Sequence, residues 1–300
     1  LFYTSGFIVA NFFYKNNGRW KSKVFLPQAW EHVEDIQVKQ YHSSFVVLRP
    51  PSRFYNVKKF SDYARAINNF GKKIFISIDF YPSYIYPLLA APRRPLIIWI
   101  HDPRDREEWE KISTVPMELS VYGKSSAGEI QQLAKEKEQA IKQVIQLGKV
   151  LKRKIIFATT ARFLVGRAKR TYGLSYIEPY WLPNPINLPR FDDEISYSIK
   201  PSLCFLGRLD MVKRPWVVFE LAKRFPSVDF YIGGETHFPD LMNPIIRRYS
   251  NLQNLKFLGF ISGEKKEQLL KDCWGIINTS IHEAEPVSFL EALSYGKPII

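Results

Sequence analysis

Two cysteines in 300 residues, Cys204 and Cys273, are too few for a disulfide framework or a cysteine-built zinc cluster. That scarcity favours a reducing compartment. No apolar run approaches the roughly 20 residues a membrane-spanning helix needs. The most apolar stretches, "PLIIWI" and "WGIINTS", have the length of strands. No secretory signal pattern is visible at the N-terminus. The chain contains neither Gly-x-Gly-x-x-Gly nor Gly-x4-Gly-Lys-Ser/Thr, which disfavours a nicotinamide dehydrogenase and a P-loop nucleotidase. It also lacks an Asp-x-Asp triplet that would hold a divalent metal on a diphosphate. The adjacent acids of "FDDE" (191–194) read as a solvated turn.

What is present is apolar surface and positive charge. Hydrophobic residues make up 46% of the chain, enough to bury substantial cores and to exclude disorder as the default. The formal net charge of +14 is unevenly spread. Residues 1–200 hold 31 Lys+Arg against 18 Asp+Glu, while residues 201–300 hold 12 against 11. A basic first two-thirds suits an anionic partner such as a phosphorylated substrate, an anionic membrane surface or nucleic acid, or serves solubility alone.

The pattern alternates short β-rich runs with amphipathic stretches. "SSFVVLRP" (43–50), "KKIFISIDF" (72–80), "PLIIWIHD" (95–102) and "IIFATT" (155–160) read as strands. Two of them, 72–80 and 95–102, are apolar almost throughout, as strands of a parallel sheet covered on both faces should be. Helices are expected over 56–71, 125–154 and 161–173. In the second, Ser126 and Glu129 form a capping-box pattern, and Ile130, Leu133, Ile141, Val144 and Ile145 form a stripe at helical spacing. A proline-rich segment, 180–194, reads as a linker. After it the alternation restarts, from "SLCFLG" to "PVSFLEALSYG". Two successive βαβ series predict two doubly wound Rossmann-like domains, 1–190 and 191–300. Ligands in such sheets bind beyond the C-terminal ends of the strands.

Four strand ends carry chemistry. In "WIHDPR", His101 and Asp102 follow an apolar strand, where a histidine can hydrogen-bond a substrate or carry a proton. A lone histidine there is more often structural. In "FLGRLDMVKRP", Arg208 and Lys213 flank a helix entrance and suit a diphosphate, one as a forked donor and the other as a point charge. An exposed basic turn is the plain alternative. In "YIGGETHFPD", Gly233 and Gly234 permit close backbone approach or simply a turn. In "NTSIHEAEPVSFLEALSYG", Pro286 suits the first helical position, and the helix N-terminus offers its N–H groups to an anion. Glu283 stands in the loop before that helix and Glu291 about one and a half turns inside it. A single helix glutamate is ordinarily just solvated.

Taken together these segments resemble the retaining GT-B glycosyltransferases of the GT4 type. The order matches from the strand ending in "HD" through "FLGRLD…K" and "NLKFLGF" to the Glu-x7-Glu pair Glu283 and Glu291, over roughly residues 70–300. The resemblance implies a GT-B fold: two Rossmann-like domains facing each other across a cleft, acceptor side first and nucleotide-sugar side second. It implies that Arg208 and Lys213 hold the donor diphosphate and that Glu291 holds the ribose hydroxyls. Glu283 and the backbone after it, at Val287, face the sugar and phosphates. Phe260 and Ile261 border the base, and His101 contacts the transferred sugar. The catalytic set is then His101, Glu283, Arg208 and Lys213, with no metal and no cofactor beyond the nucleotide-diphosphate sugar.

The implied reaction moves a sugar, a hexose by expectation, to a glycan or lipid-linked acceptor with retention of configuration. The expected location is cytoplasmic, at the inner membrane face, with "LKRK" (151–154) among the candidate lipid contacts. Where the family commonly has Glu-Gly-Phe-Gly, this chain has Glu283-Ala284-Glu285-Pro286. That departure leaves the donor sugar open and keeps a non-catalytic nucleotide- or carbohydrate-binding relative as an alternative. "YTSGF" (3–7), with Gly6, is the candidate acceptor loop. A nucleic-acid-binding protein fits the charge alone, with no recognised module and no interleaved aromatic platform, so nucleic acid is not an expected partner. "KPII" at 297–300 reads as the start of a further strand, so the fold is expected to continue past Ile300.

Overall fold

The computed structural model describes residues 23–25, 46–48, 75–79, 94–114, 127–186, 188–189, 197–236 and 239–300. The helix expected over 56–71, the segment 3–7, Ser126 and the acids of 191–194 lie outside these residues. The chain divides into two compact units, one of residues 1–105 and 132–185, the other of residues 106–131 and 186–300. By this division Arg106–Ser113 belongs with the second unit.

The first unit is built on strands β3 (Phe75–Ile78), β4 (Leu96–Ile100), β5 (Ile155–Thr159) and β6 (Tyr180–Trp181), ordered β3-β4-β5-β6 and all parallel. A separate parallel pair joins β1 (Lys23–Phe25) to β2 (Val46–Leu48). Helix α1 (Arg106–Ser113) follows β4 in sequence, and α2 (Ala127–Val150) precedes β5. Ile141, Val144 and Ile145 of α2 are buried against Leu96, Ile98 and Ile100 of β4, as the helical spacing predicts. Helix α3 (Leu164–Tyr172) adds Ala168 and Tyr172 to the same core. It stops at Gly173, whose left-handed φ of 62° lets its N–H turn back to the carbonyls of Lys169 and Arg170.

The second unit has strands β7 (Ser202–Leu206), β8 (Asp229–Gly233), β9 (Leu255–Gly259) and β10 (Gly275–Ile276), in the parallel order β10-β7-β8-β9. Ile299 bridges Ile276 in parallel and extends the sheet beyond β10. Alternation along β7 sends Phe205 to one face and Cys204 and Leu206 to the other. The Phe205 face is covered by α4 (Pro215–Arg224) and α5 (Pro239–Tyr249), through Val218, Phe219, Ala222 and Met242. The Cys204 face is covered by α6 (Glu264–Asp272) and α7 (Val287–Ser294), through Leu270 and Ala292. Helices before β9 thus lie on one side and helices after it on the other. Because parallel crossovers are right-handed, the sheet grows outward from β7 to β9 and then restarts beyond β7 as β10. The order reverses between β7 and β10, the kind of switch point beyond which such sheets bind ligands.

Cys204 and Cys273 meet in this core with sulfurs 3.5 Å apart, both free thiols. The hydrogen bond between them and burial push the Cys204 thiol above its ordinary range. Among the described residues no helix is long and apolar enough to cross a membrane.

Candidate functional site

The switch point of the second unit gathers the loop after β7 (207–214) and the loop after β10 (277–286). Leaving β7, Gly207 donates its N–H to the Gly233 carbonyl, and Gly234 donates to the Gly259 carbonyl. Gly234 has φ 150°, and a Cβ there would stand 1.8 Å from the Gly207 oxygen. Only glycine lets these strand ends close against each other. Asp210, fully buried, then organises the turn. One carboxylate oxygen accepts the Lys213 N–H at 3.0 Å, and the other pairs with the Arg208 guanidinium at 3.3 Å. A buried carboxylate is tolerable because it is paired and hydrogen-bonded.

The two loops are stitched together. The Thr279 hydroxyl donates to the carbonyls of Lys213 and Arg214 at 2.7 and 3.0 Å. Arg214 Nε–H returns to the Thr279 carbonyl at 2.6 Å, and the Ile281 N–H bonds the Val212 carbonyl at 2.9 Å. Arg214 itself sits at φ 46°, a left-handed N-cap before Pro215 at the first position of α4. The outcome is that the Lys213 ammonium pairs with the Glu283 carboxylate, 70 residues away in sequence.

Pro286 takes the N-cap position of α7, with an extended ψ of 126°, and Val287 is the first helical residue. The sequence placed the proline one position later. The difference is physical: an N-cap has β-region backbone, which proline tolerates, and its carbonyl accepts the Phe289 N–H at 3.0 Å. No side chain caps this helix. Its first-turn N–H groups therefore lack the partner a cap would give. Glu291, one and a half turns in, pairs with Lys266 of α6 at 2.5 Å. Both side chains are about a quarter exposed or less. Phe260, after β9, is 73% exposed, and neighbouring Ile261 is half-buried against Gly233. A cavity at the ends of β8 and β9 is lined by Leu209, Gly234, Glu235, Thr236, Asn243 and Phe257.

His101 belongs to the first unit. It is buried at the end of β4, edge-on to the Trp99 ring with centroids 4.4 Å apart. Burial holds its imidazole down at about 4, against an opposing pull from Asp102. It is a neutral ring at pH 7, and its Nε2 has no hydrogen-bond partner among the described residues. Its backbone is fixed by Asp79, at the end of β3, whose Oδ1 accepts the N–H of His101 at 2.8 Å and of Asp102 at 3.2 Å.

The structure thus unites Arg208, Lys213, Glu283 and the α7 N-terminus in one unit. It gives Glu291 a lysine partner and leaves His101 in the other unit. Sequence reasoning missed Asp210, Asp79, Lys266 and Thr279. Asp210 carried a signal, because an Asp three residues before Lys213 can accept its N–H in a turn. The other three act across elements and leave no local pattern. Among the described residues no three His, Cys, Asp or Glu side chains group to hold a metal ion.

Parallel sheets wound by helices, with cations and a helix N-terminus at the switch point of the second, define a doubly wound α/β protein. Residues 191–300, under half of the chain, match the family of glycosyl transferases group 1. One component of human phosphatidylinositol N-acetylglucosaminyltransferase is 25% identical over 118 residues, 39% of this chain and 23% of that protein. The match therefore spans under a quarter of the length of that relative. Among solved structures, HepE of Anabaena in complex with UDP and glucose superposes with a TM-score of 0.60 at 14% identity. It covers 98% of this chain and 76% of that one. Sucrose-phosphate synthase of Thermosynechococcus elongatus gives a TM-score of 0.60 at 13% identity, over 99% of this chain and 73% of that one. These likenesses show the GT-B fold along the chain.

Proposed function

We propose that the chain is a glycosyltransferase that moves a hexosyl group from a nucleotide-diphosphate sugar to a glycan or lipid-linked acceptor, with retention of configuration and without a metal. The observation that carries this reading is the meeting of the two loops after β7 and β10, which puts Lys213 against Glu283 beside the uncapped N-terminus of α7. The names of the relatives, one solved with UDP and glucose and one an N-acetylglucosaminyltransferase, support a nucleotide-linked hexose.

In this reading the bond from the anomeric carbon to the phosphate oxygen breaks, and negative charge grows on the leaving diphosphate. Arg208, Lys213 and the α7 dipole stabilise that charge, the work a divalent cation does elsewhere. The acceptor hydroxyl attacks from the face the phosphate leaves, and its proton passes to a phosphate oxygen. Lys213 starts in an ion pair with Glu283, so the incoming diphosphate replaces a carboxylate as the lysine's partner. Glu283 is then released to accept a hydrogen bond from the donor sugar. Glu291 accepts from the ribose diol after exchanging Lys266, Val287 offers its N–H to phosphate, and Phe260 with Ile261 borders the base. Neutral His101 offers a substrate hydroxyl a hydrogen bond through Nε2 and adds no charge.

A donor screen read by mass spectrometry tests the reading. Transfer or hydrolysis is expected with at least one sugar nucleotide, unchanged by EDTA, nearly abolished in Lys213→Ala and weakened at low donor concentration in Glu291→Ala, with folding intact. Wild-type protein that neither transfers nor hydrolyses any donor defeats it. The segment Ala284-Glu285-Pro286 favours one second reading, a non-catalytic binder, because Pro286 has no N–H to give a phosphate. Calorimetric nucleotide binding without turnover is its signature.

For the acceptor side, we assign the inner membrane face as the working location. Lys142, Lys149, Lys152 and Lys154 are exposed on α2 and just after it. Arg153, expected among the lipid contacts, is buried, and burial lowers its guanidinium to about 10. Sedimentation with liposomes should rise with anionic lipid content, and indifference to that content removes the assignment.

A further inference from the structure

We propose that Glu108, acting through His282, fixes the loop that carries Glu283 and is a positioning residue for the donor site. The proposal rests on the transferase reading for its catalytic consequence and on geometry for the rest. Glu108 lies on α1, which belongs to the second unit. The His282 Nδ1–H donates to Glu108 Oε2 at 2.5 Å across 174 residues of sequence. Both side chains are more than nine-tenths buried. The other carboxylate oxygen, Oε1, takes the Lys111 ammonium at 3.2 Å. Both oxygens of a buried carboxylate are therefore engaged, one of them by the site loop.

His282 stands between the last stitched residue of the loop, Ile281, and Glu283. Upstream, Thr279 and Ile281 tie the loop to residues 212–214. Downstream, Glu283 pairs with Lys213. The loop is thus gripped on one side by the β7 turn and on the other by α1. Removing the Glu108 carboxylate leaves the buried His282 N–H without its acceptor, so the backbone at 282 must move to find water. Glu283 is attached to that backbone, and displacement of a site group by about 1 Å is enough to lower turnover.

The test uses the full chain with UDP-glucose as probe. Glu108→Ala should lower kcat/KM by about tenfold, chiefly through kcat, the loss of one charge-assisted hydrogen bond. Glu108→Gln, which keeps an acceptor oxygen, should stay within about threefold of wild type. His282→Ala should match Glu108→Ala, the double variant should be no worse than either, and His282→Asn should recover much of the loss by restoring a donor. Independently of any donor, hydrogen exchange over 278–286 should quicken in Glu108→Ala and not in Glu108→Gln, while β8 keeps its protection. Additive losses in the double variant, or unchanged loop exchange in Glu108→Ala, overturn the proposal. If Glu108→Ala does not fold, the two His282 variants decide it by the same exchange measurement. If wild type neither binds nor turns over any sugar nucleotide, the transferase reading falls, and loop exchange still decides whether Glu108 fixes the loop.

Discussion

The two units end their strands in different electrostatic states, although each carries ion pairs, Asp102 with Arg104 in the first. At the lip of the C-terminal sheet, charges stand in pairs: Arg208 with Asp210, Lys213 with Glu283, Lys266 with Glu291. At the lip of the N-terminal sheet, the Asp79 carboxylate is occupied with backbone N–H groups, and beside it sits a buried neutral imidazole. Similar parallel scaffolds therefore present two chemistries. A lip of paired ions can exchange partners with an anionic ligand, because each lysine already has its charge compensated and the ligand substitutes for a carboxylate. A desolvated histidine supplies direction through a ring that carries no charge of its own.

The comparison can be broken most severely at Gly234. Gly234→Ala drives a methyl into the Gly207 oxygen, so the C-terminal lip must open. We expect a loss of about 4 kcal/mol or more, the range of severe backbone and packing faults, seen as an early melting transition. Lys213→Ala comes next. It should cut kcat by about 10²–10³ with little change in melting temperature, the cost of one preorganised group facing developing charge.

The N-terminal lip is probed by acid. His101 titrates near 4 when folded and at 6.5 when unfolded. Above pH 6.5 both states are neutral and stability is intact. As pH falls from 6.5 toward 4, the unfolded chain gains a proton that the folded chain refuses, so up to about 3 kcal/mol is lost. His101→Gln should flatten that part of the stability curve in denaturant titrations at pH 7, 6 and 5. The smallest effect is expected at Glu291. Glu291→Ala should raise the donor KM by about tenfold and leave kcat within a factor of a few, since it removes binding made equally in ground and transition states. A fall in kcat larger than the rise in KM would move Glu291 into the charge-stabilising group.

Much of the fold was legible because periodicity reports burial. The apolar runs of β4 and β7, and the Ile141, Val144 and Ile145 face of α2, became cores as read. The cation turn and the Glu-x7-Glu pair were legible too, because both sides of each feature lie within a dozen residues. Pairing was not. Nothing local in "REEWEKIS" says that Glu108 will meet His282, nor that α1 packs with the second unit. Nor does "GEKKEQLL" say which of Lys265 and Lys266 will reach Glu291, a choice set by how α6 lies against α7.

The sequence alone determined the two parallel α/β sheets, the strand ends that carry polar residues, and the residue types able to hold a diphosphate. Those follow from local periodicity, turn chemistry and charge, which need no knowledge of distant neighbours. Tertiary structure alone decided that the sheet order reverses between β7 and β10, and that Lys213 and Glu283 compensate each other. It alone made His101 neutral and gave His282 a carboxylate. Each of these depends on which buried groups share a small volume. That is a property of packing and desolvation between segments far apart in the chain, and no local pattern encodes it.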